Sequence, residues 1–176
     1  PRDLLRICVT QHVEDKTDTS IFVTVKLTDA NAIATLFNTE LSETPTLLLW
    51  TTTPWTLPAN LAVAVHQNYD YSLVKFDNNT LCIAAKERLD AIKATCHQHQ
   101  YDVLGQVKGS DLLGLEYQHP FCDRTGTIIH GDFVTLEDGS GLVHIAPGHG
   151  TDDYIVGQAH QLEVYCPVRA DGTYDD

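Results

Sequence analysis

Methionine is absent from this sequence, and basic residues are scarce: 11 lysines and arginines stand against 24 aspartates and glutamates, a net charge of −13 in 176 residues. Surfaces that grip a nucleic-acid duplex need clustered basic side chains, so this composition excludes an extended nucleic-acid surface. No apolar run approaches the roughly 20 residues of a membrane span, and the first residues lack the order of a signal peptide. We therefore expect a cytoplasmic protein without membrane contact.

Cysteine pairs with metal-ligand spacing are also missing. The five cysteines are odd in number, widely separated and never arranged as C-x-x-C: Cys8, Cys82, Cys96, Cys122 and Cys166. This pattern indicates neither a disulfide framework nor a zinc ribbon, so we expect reduced thiols, which also lie outside the two motifs described below. With 43% hydrophobic residues the chain is long enough to bury the core of one domain.

Short strand patterns dominate the chain and helical patterns are few. Strands are predicted at 5–10, 20–27, 46–53, 61–66, 71–76, 81–84, 101–107, 127–130, 133–136 and 142–145, and helices at 30–37, 86–99 and 151–161. Asp29 is the expected N-cap of the first helix. Strands 61–66, 71–76 and 81–84 are predicted to form a meander. Because strands and helices do not alternate regularly, we predict an α+β fold with a mostly antiparallel, barrel-like β core and two or three flanking helices.

The first motif is LLLWTTTPWTLPAN, from Leu47 to Asn60. Its apolar run reads as a buried strand that ends in three threonines, since Pro54 lacks an N–H and disfavours a helical conformation at Thr53. Threonine hydroxyls supply donors and acceptors without charge, which suits holding a ribose, a carbonyl or a water molecule. From the residues alone, a threonine-rich turn without function fits the same pattern.

The second motif is GSGLVHIAPGHGTDDY, a loop rich in glycine and proline that leads into a predicted helix. It gathers two imidazoles and two carboxylates: His144, His149, Asp152 and Asp153. In one interpretation Thr151 caps the helix and the aspartates meet its positive end. In another, His144, His149 and Asp153 bind a metal ion, although this spacing matches no known ligand pattern. A third interpretation, in which the motif is half of a substrate site, comes from a resemblance to a known family.

Both motifs resemble signature peptides of the editing domain of isoleucyl-tRNA synthetases, the class I synthetase insertion called connective peptide 1. Thr53 and Trp55 favour the isoleucyl branch, because the valyl and leucyl enzymes usually carry an arginine before the proline and an acidic residue after it. The resemblance covers about 20–168 and leaves poorly matched margins at 1–19 and 169–176. It implies one editing domain over 1–176, excised from a larger isoleucine–tRNA ligase whose synthetic-site motifs are absent here.

The function that this resemblance implies is proofreading. Isoleucine and valine differ by one methylene, which gives a binding pocket little discrimination, a limit for which isoleucyl-tRNA synthetase is itself the well-known example. A second pocket would then hydrolyse mischarged Val-tRNA(Ile), with valyl-adenylate as a second substrate. The implied partners are the 3′ terminal adenosine of tRNA(Ile) carrying valine and the remainder of the synthetase. No cofactor and no metal are implied.

The resemblance also implies roles for individual residues. Asp153 binds the substrate ammonium, while Thr52, Thr53 and Asn60 place the water or the scissile carbonyl; these four form the expected catalytic set. Trp50 and Thr51 seat the adenosine, His144 rejects isoleucine by size, and His149 is a candidate helper. A threonine nucleophile is not expected, because no adjacent base is evident. Two alternatives remain: a non-catalytic module that binds an aminoacyl or nucleoside ligand, and a metal-dependent hydrolase using His144, His149 and Asp153.

Overall fold

A computed structural model describes residues 20–175, so the strand predicted at 5–10 lies outside the described residues. The strands are β1 Ile21–Leu27, β2 Thr46–Thr51, β3 Ala62–Val65, β4 Asp70–Phe76, β5 Leu81–Ala85, β6 Tyr101–Lys108, β7 Glu116–Gln118, β8 Thr125–His130 and β9 Val143–Ile145. The α-helices are α1 Ala30–Leu36, α2 Leu89–Thr95, α3 Gly109–Leu112 and α4 Thr151–Ala159, with 3₁₀ turns at Pro54–Ala59 and Lys86–Arg88.

Six strands close into a barrel. Their order is β1, β7, β8, β3, β9 and β2, and the antiparallel pairing of β1 with β2 joins the two ends. The pairs β3–β8 and β2–β9 are parallel, and the remaining barrel pairs are antiparallel. Closure leaves these six strands without a free edge. The predicted α+β class with a mostly antiparallel, barrel-like core is confirmed.

The other three strands extend the sheet outward from β2 in the order β5, β4, β6. We call these strands, together with the 3₁₀ turn Lys86–Arg88 and α2, the annex. The predicted meander is correct for β4 and β5 but wrong for β3, which pairs with β8 and β9. All four residues of β3 are buried, as suits a strand covered on both faces.

One large apolar core joins the barrel to the annex. Leu47 and Leu49 of β2 are fully buried in it, together with Leu73 of β4 and Ile83 of β5. A smaller core, which includes Ile145 of β9, packs beneath α4. The apolar run that opens the first motif is therefore a central strand, and its last residues are held rigidly at the end of the barrel.

Several element boundaries differ from the predictions. Asp29 caps α1 as expected, through backbone N–H groups of residues 31 and 32. The helix predicted at 86–99 begins as a 3₁₀ turn and ends at Thr95, and His97 just beyond it has a φ of 54°. Residues 133–136 form no strand although one was predicted there: Phe133 lies in a turn and Leu136 in a bend. Strand β7 was not predicted. In the described part of the chain, no helix is both long and apolar enough to cross a membrane.

Candidate functional site

A cavity of about 300 Å³ opens between the end of β2 and the loop that leads into α4. The first motif and the second motif both line it, so Thr52 and Asp153 face one space although they are distant in sequence. The lining consists of Trp50, Thr51, Thr52, Thr53, Thr56, Phe133, Thr135, Asp138, Gly139, Ser140, Gly141, Leu142, Val143, His144, His149 and Asp153. The structure therefore brings together every predicted site residue except Asn60.

The threonine loop, residues 51–53, presents hydroxyls that differ in burial and in hydrogen bonding. Thr51 is buried, and its Oγ1 accepts a hydrogen bond of 3.0 Å from the backbone N of Thr53. Oγ1 of Thr53 has only long contacts, at 3.3 Å to Thr51 and 3.5 Å to Thr56. Thr52 is exposed, and its side chain makes no hydrogen bond to another residue within 20–175. The hydroxyls of Thr52 and Thr53 are thus available to a ligand, whereas that of Thr51 holds the loop.

His144 lies on β9 and is only 7% exposed. Its Nδ1 is 2.9 Å from Nδ2 of Asn60, and its Nε2 is 2.9 Å from Oγ1 of Thr56. Since an amide nitrogen can only donate, Nδ1 accepts and Nε2 carries the proton. The Thr56 hydroxyl accepts a hydrogen bond from Nε2 and donates one to the carbonyl of Thr53 at 2.8 Å. The imidazole is therefore fixed in one tautomer at the wall of the cavity.

Burial lowers the pKa of His144 to about 4, and the neighbouring imidazoles of His119 and His149 contribute in the same direction. The ring is neutral at physiological pH because a charge would be poorly solvated there. Both nitrogens already have protein partners. His144 therefore offers the cavity a neutral ring of fixed position and has no free lone pair for a proton or a metal ion.

Asn60 lies behind His144 and is only 3% exposed. Its Nδ2 donates both to His144 and to the carbonyl of Ala62, and its Oδ1 accepts from the hydroxyl of Tyr117. Burial raises the pKa of Tyr117, so this hydroxyl keeps its proton and donates it. The expected contact of Asn60 with the water or carbonyl is not what the structure shows: every polar atom of the amide is used to hold His144 and the barrel wall.

Asp153 lies in the first turn of α4 with its carboxylate directed to the cavity. Burial raises its pKa, while the hydrogen bond of 3.2 Å that Oδ2 accepts from the backbone N of Ala146 acts in the opposite direction. The N-cap position of α4 is Gly150, which makes no side-chain cap, so the interpretation of Thr151 as the cap is wrong. Asp152 beside it is exposed.

His149 is not a solvent-exposed loop residue. Its side chain is partly buried and lines the cavity, and its Nε2 is buried without a hydrogen-bond partner among the described residues. A buried polar atom of this kind is costly unless something fills the position next to it. His149 is thus the imidazole of the site with a buried nitrogen that has no partner among the described residues.

No individual role was predicted for the cavity lining at residues 138–141, although Gly139 to Gly141 open the second motif. These four residues belong to the wall segment 136–141, in which Gly139 and Gly141 have φ angles of 68° and 75°. A Cβ on Gly139 would lie 3.0 Å from the ring of Trp50, so a side chain here would press on the cavity lining. The signal in the sequence was the GSG string, whose two glycines allow left-handed backbone at both positions.

Comparisons with known proteins identify relatives of the chain in sequence and in fold. No family model matches the chain. An isoleucine–tRNA ligase of Proteus mirabilis (strain HI4320) is 44% identical over 160 residues, which are 91% of this chain and 17% of that protein. The chain thus spans about a sixth of the relative that it matches.

Solved structures share the fold. GlLeuRS-CP1 has a TM-score of 0.66 and 17% identity, over 79% of this chain and 58% of that one. The editing domain of the P. knowlesi cytosolic leucyl-tRNA synthetase has a TM-score of 0.67 and 13% identity, over 81% of this chain and 62% of that one. Sequence similarity places the chain in the isoleucine–tRNA ligase family, and its fold is that of the editing (CP1) domains of leucyl-tRNA synthetases.

Proposed function

We propose that the chain is the proofreading hydrolase domain of a cytoplasmic isoleucyl-tRNA synthetase. Its substrate is the ester of valine with the terminal ribose of tRNA(Ile), and valyl-adenylate is a second substrate. One observation carries this proposal: free threonine hydroxyls and a partly buried carboxylate face the same cavity of about 300 Å³. Its partners are then the valine-bearing 3′ end of tRNA(Ile) and the remainder of the synthetase.

The carboxylate of Asp153 accounts for recognition of an aminoacyl group. One oxygen, Oδ2, is engaged by the backbone N of Ala146, and no described residue donates a hydrogen bond to the other. An ammonium ion next to this partly buried carboxylate would form a charge-assisted hydrogen bond and hold the amino acid by its α-nitrogen. Uncharged tRNA has no such group, which favours aminoacyl substrates.

The threonine hydroxyls account for the chemistry. In ester hydrolysis a water oxygen attacks the carbonyl carbon, the bond to the ribose oxygen breaks, and that oxygen leaves with a proton. Thr52 and the weakly engaged Thr53 can donate to the oxyanion that develops, or orient the water. His149, whose Nε2 has no partner, fits the role of holding that water. We assign no covalent role to a threonine. Nδ1 of His144 already accepts from Asn60, so it cannot take the proton of a threonine hydroxyl.

The size limit is assigned to His144. A neutral imidazole held at both nitrogens is a rigid obstacle, and rigid walls discriminate by volume where hydrophobic attraction cannot. Valine would fit beside this ring, and the extra methylene of isoleucine would collide with it. Trp50 and Thr51 lie at the end of β2, where the adenosine would enter; Thr51 also anchors the loop that carries Thr53.

The metal-dependent alternative finds no support in the geometry. His144 has no free nitrogen, and within residues 20–175 no three His, Cys, Asp or Glu side chains are grouped to hold a metal ion. The binding-module alternative uses the same contacts and differs only in turnover.

The decisive experiment uses the complete synthetase that carries this chain, incubated with Val-tRNA(Ile) and with Ile-tRNA(Ile). We expect release of valine and retention of isoleucine. A binding module would give a different result. The enzyme would bind a non-hydrolysable valyl-adenosine analogue at this domain but would never release valine.

A further inference from the structure

The wall segment 136–141 is attached to the annex through its backbone. Oxygens of Leu136, Glu137 and Gly139 accept from Arg88, that of Ser140 accepts from the backbone N of Ala85, and that of Gly141 accepts from the hydroxyl of Tyr71. Five of the six carbonyls of the segment therefore accept hydrogen bonds from donors in the annex.

Arg88 makes three of these five contacts. Its Nε donates to Gly139 at 2.9 Å, and its Nη1 donates to Leu136 at 3.1 Å and to Glu137 at 2.8 Å. The residue ends the 3₁₀ turn Lys86–Arg88, and its side chain is half-buried. A planar guanidinium can bind several carbonyls at fixed angles, which the point charge of a lysine ammonium cannot reproduce.

The opposite surface of the segment forms the cavity. Asp138, Gly139, Ser140 and Gly141 all line it, and Gly139 packs against Trp50. On the annex side the packing is equally close, because a Cβ on Gly141 would collide with Ala85. Packing on both sides and five hydrogen bonds from the annex, three of them from Arg88, therefore hold the segment in place.

We propose that Arg88 is a positioning residue that holds the wall segment 136–141 against the annex. In this way it sets the width of the cavity and the size of the amino acid that the cavity admits. This inference rests on the proposed function. Arg88 itself touches no reacting atom in this scheme and acts through the backbone of 136–141. The annex then has a role in selectivity besides its contribution to the core.

The test compares Arg88→Ala, Arg88→Lys and Lys86→Ala in the complete synthetase. Lys86 is exposed on the same 3₁₀ turn and makes no hydrogen bond to the wall, so it controls for the loss of a positive charge. For Arg88→Ala we expect kcat/KM on Val-tRNA(Ile) to fall roughly ten- to a hundredfold, mainly through KM, as misplacement of a binding wall predicts. The preference for Val-tRNA(Ile) over Ile-tRNA(Ile) should fall with it.

Two further measurements separate positioning from a general folding defect. Added guanidinium ion should restore part of the selectivity of Arg88→Ala, whereas the same concentration of ammonium ion should not. Isoleucine activation should remain unchanged in every variant. Arg88→Lys should show an intermediate loss, because it keeps the charge but not the fork.

The inference is overturned if Arg88→Ala keeps the wild-type KM and selectivity, or if its loss appears only in kcat and guanidinium does not restore it. Failure of the proposed function would look different: the wild-type enzyme itself would release no valine. In that case the affinities of non-hydrolysable valyl- and isoleucyl-adenosine analogues still decide the inference. Arg88→Ala should bring the two dissociation constants closer together, and an unchanged ratio would contradict it.

Discussion

Nδ2 of Asn60 lies 2.9 Å from Nδ1 of His144, and this contact fixes the protonation state of the site. The amide cannot be reversed, because Nδ2 also donates to the carbonyl of Ala62 and a reversed amide would place two oxygens against each other. Nδ1 must therefore accept, and Nε2 must carry the proton that Thr56 accepts. The ring of His144 is thus a fixed, neutral part of the cavity wall, and its tautomer is set by Asn60, which lies behind it.

Asp153 provides the first prediction. Asp153→Ala and Asp153→Asn should lower kcat/KM for deacylation of Val-tRNA(Ile) by roughly a hundredfold or more. Either change leaves the substrate ammonium without its carboxylate, and an unpaired buried charge costs about 3 kcal/mol or more. Isoleucine activation should be unaffected. The matched control is Asp152→Asn, which alters an exposed carboxylate on the same helical turn. Deacylation at the wild-type rate in Asp153→Asn would remove this carboxylate from the mechanism.

His144 provides the second prediction. In His144→Ala the ring disappears from the wall, so correctly charged Ile-tRNA(Ile) should be hydrolysed as well as Val-tRNA(Ile). The measurement is the ratio of the two deacylation rates, which should approach one. His160→Ala is the control, because this imidazole is exposed and lies outside the cavity lining. Continued protection of Ile-tRNA(Ile) in His144→Ala would assign the size limit to another part of the wall.

Most of the residues that line the candidate cavity could be predicted from the sequence because they lie in two short strings. Each string contains the end of a strand followed closely by a proline: β2 ends at Thr51, before Pro54, and β9 ends at Ile145, before Pro147. Functional groups and chain breaks therefore coincide. The apolar run before Thr51 and the cap at Asp29 are likewise local features, and both were predicted correctly.

Features that depend on long-range pairing could not be predicted. The partner of β3 is decided by burial on both faces and not by its neighbours in sequence, so the meander prediction failed there. The wall at 136–141 is held by Arg88, a single residue on a distant turn with no motif around it. Asn60 belongs to the first motif, yet only the register of β3 against β9 shows that it lies behind His144.

Asn60 provides the third prediction. Asn60→Asp replaces a donor by an acceptor opposite Nδ1 of His144, so the ring should take up a second proton to satisfy the new carboxylate. The pKa of His144 should then rise from about 4. An NMR titration of the imidazole carbon protons measures it. Asn78→Asp is the control, an exposed amide whose Oδ1 accepts from Thr80 and does not contact a histidine.

An unchanged titration of His144 in Asn60→Asp would show that the amide does not set the tautomer. The wild-type protein should also show a proton on Nε2 and none on Nδ1 in nitrogen NMR spectra at neutral pH. The opposite tautomer would contradict the hydrogen-bond directions assigned to Asn60 and Thr56.

The dependence of stability on pH provides the last prediction. Because the pKa of His144 is about 4 in the folded chain and 6.5 when unfolded, the unfolded state binds more protons between these values. The folded state should therefore lose stability as pH falls from about 6.5 towards 4, by up to roughly 3 kcal/mol from this group. Above that window the contribution is fully present.

Other groups titrate over the same range, so the test must be a difference. Burial also lowers the pKa of His119, which adds to the loss, while the raised pKa of Asp153 opposes it. Urea unfolding of the wild-type chain and of His144→Gln at about pH 7 and about pH 4.5 isolates the contribution of His144. The wild-type chain should lose more stability than the variant on acidification, because glutamine cannot be protonated. Equal losses would mean that the imidazole is not held neutral by its burial.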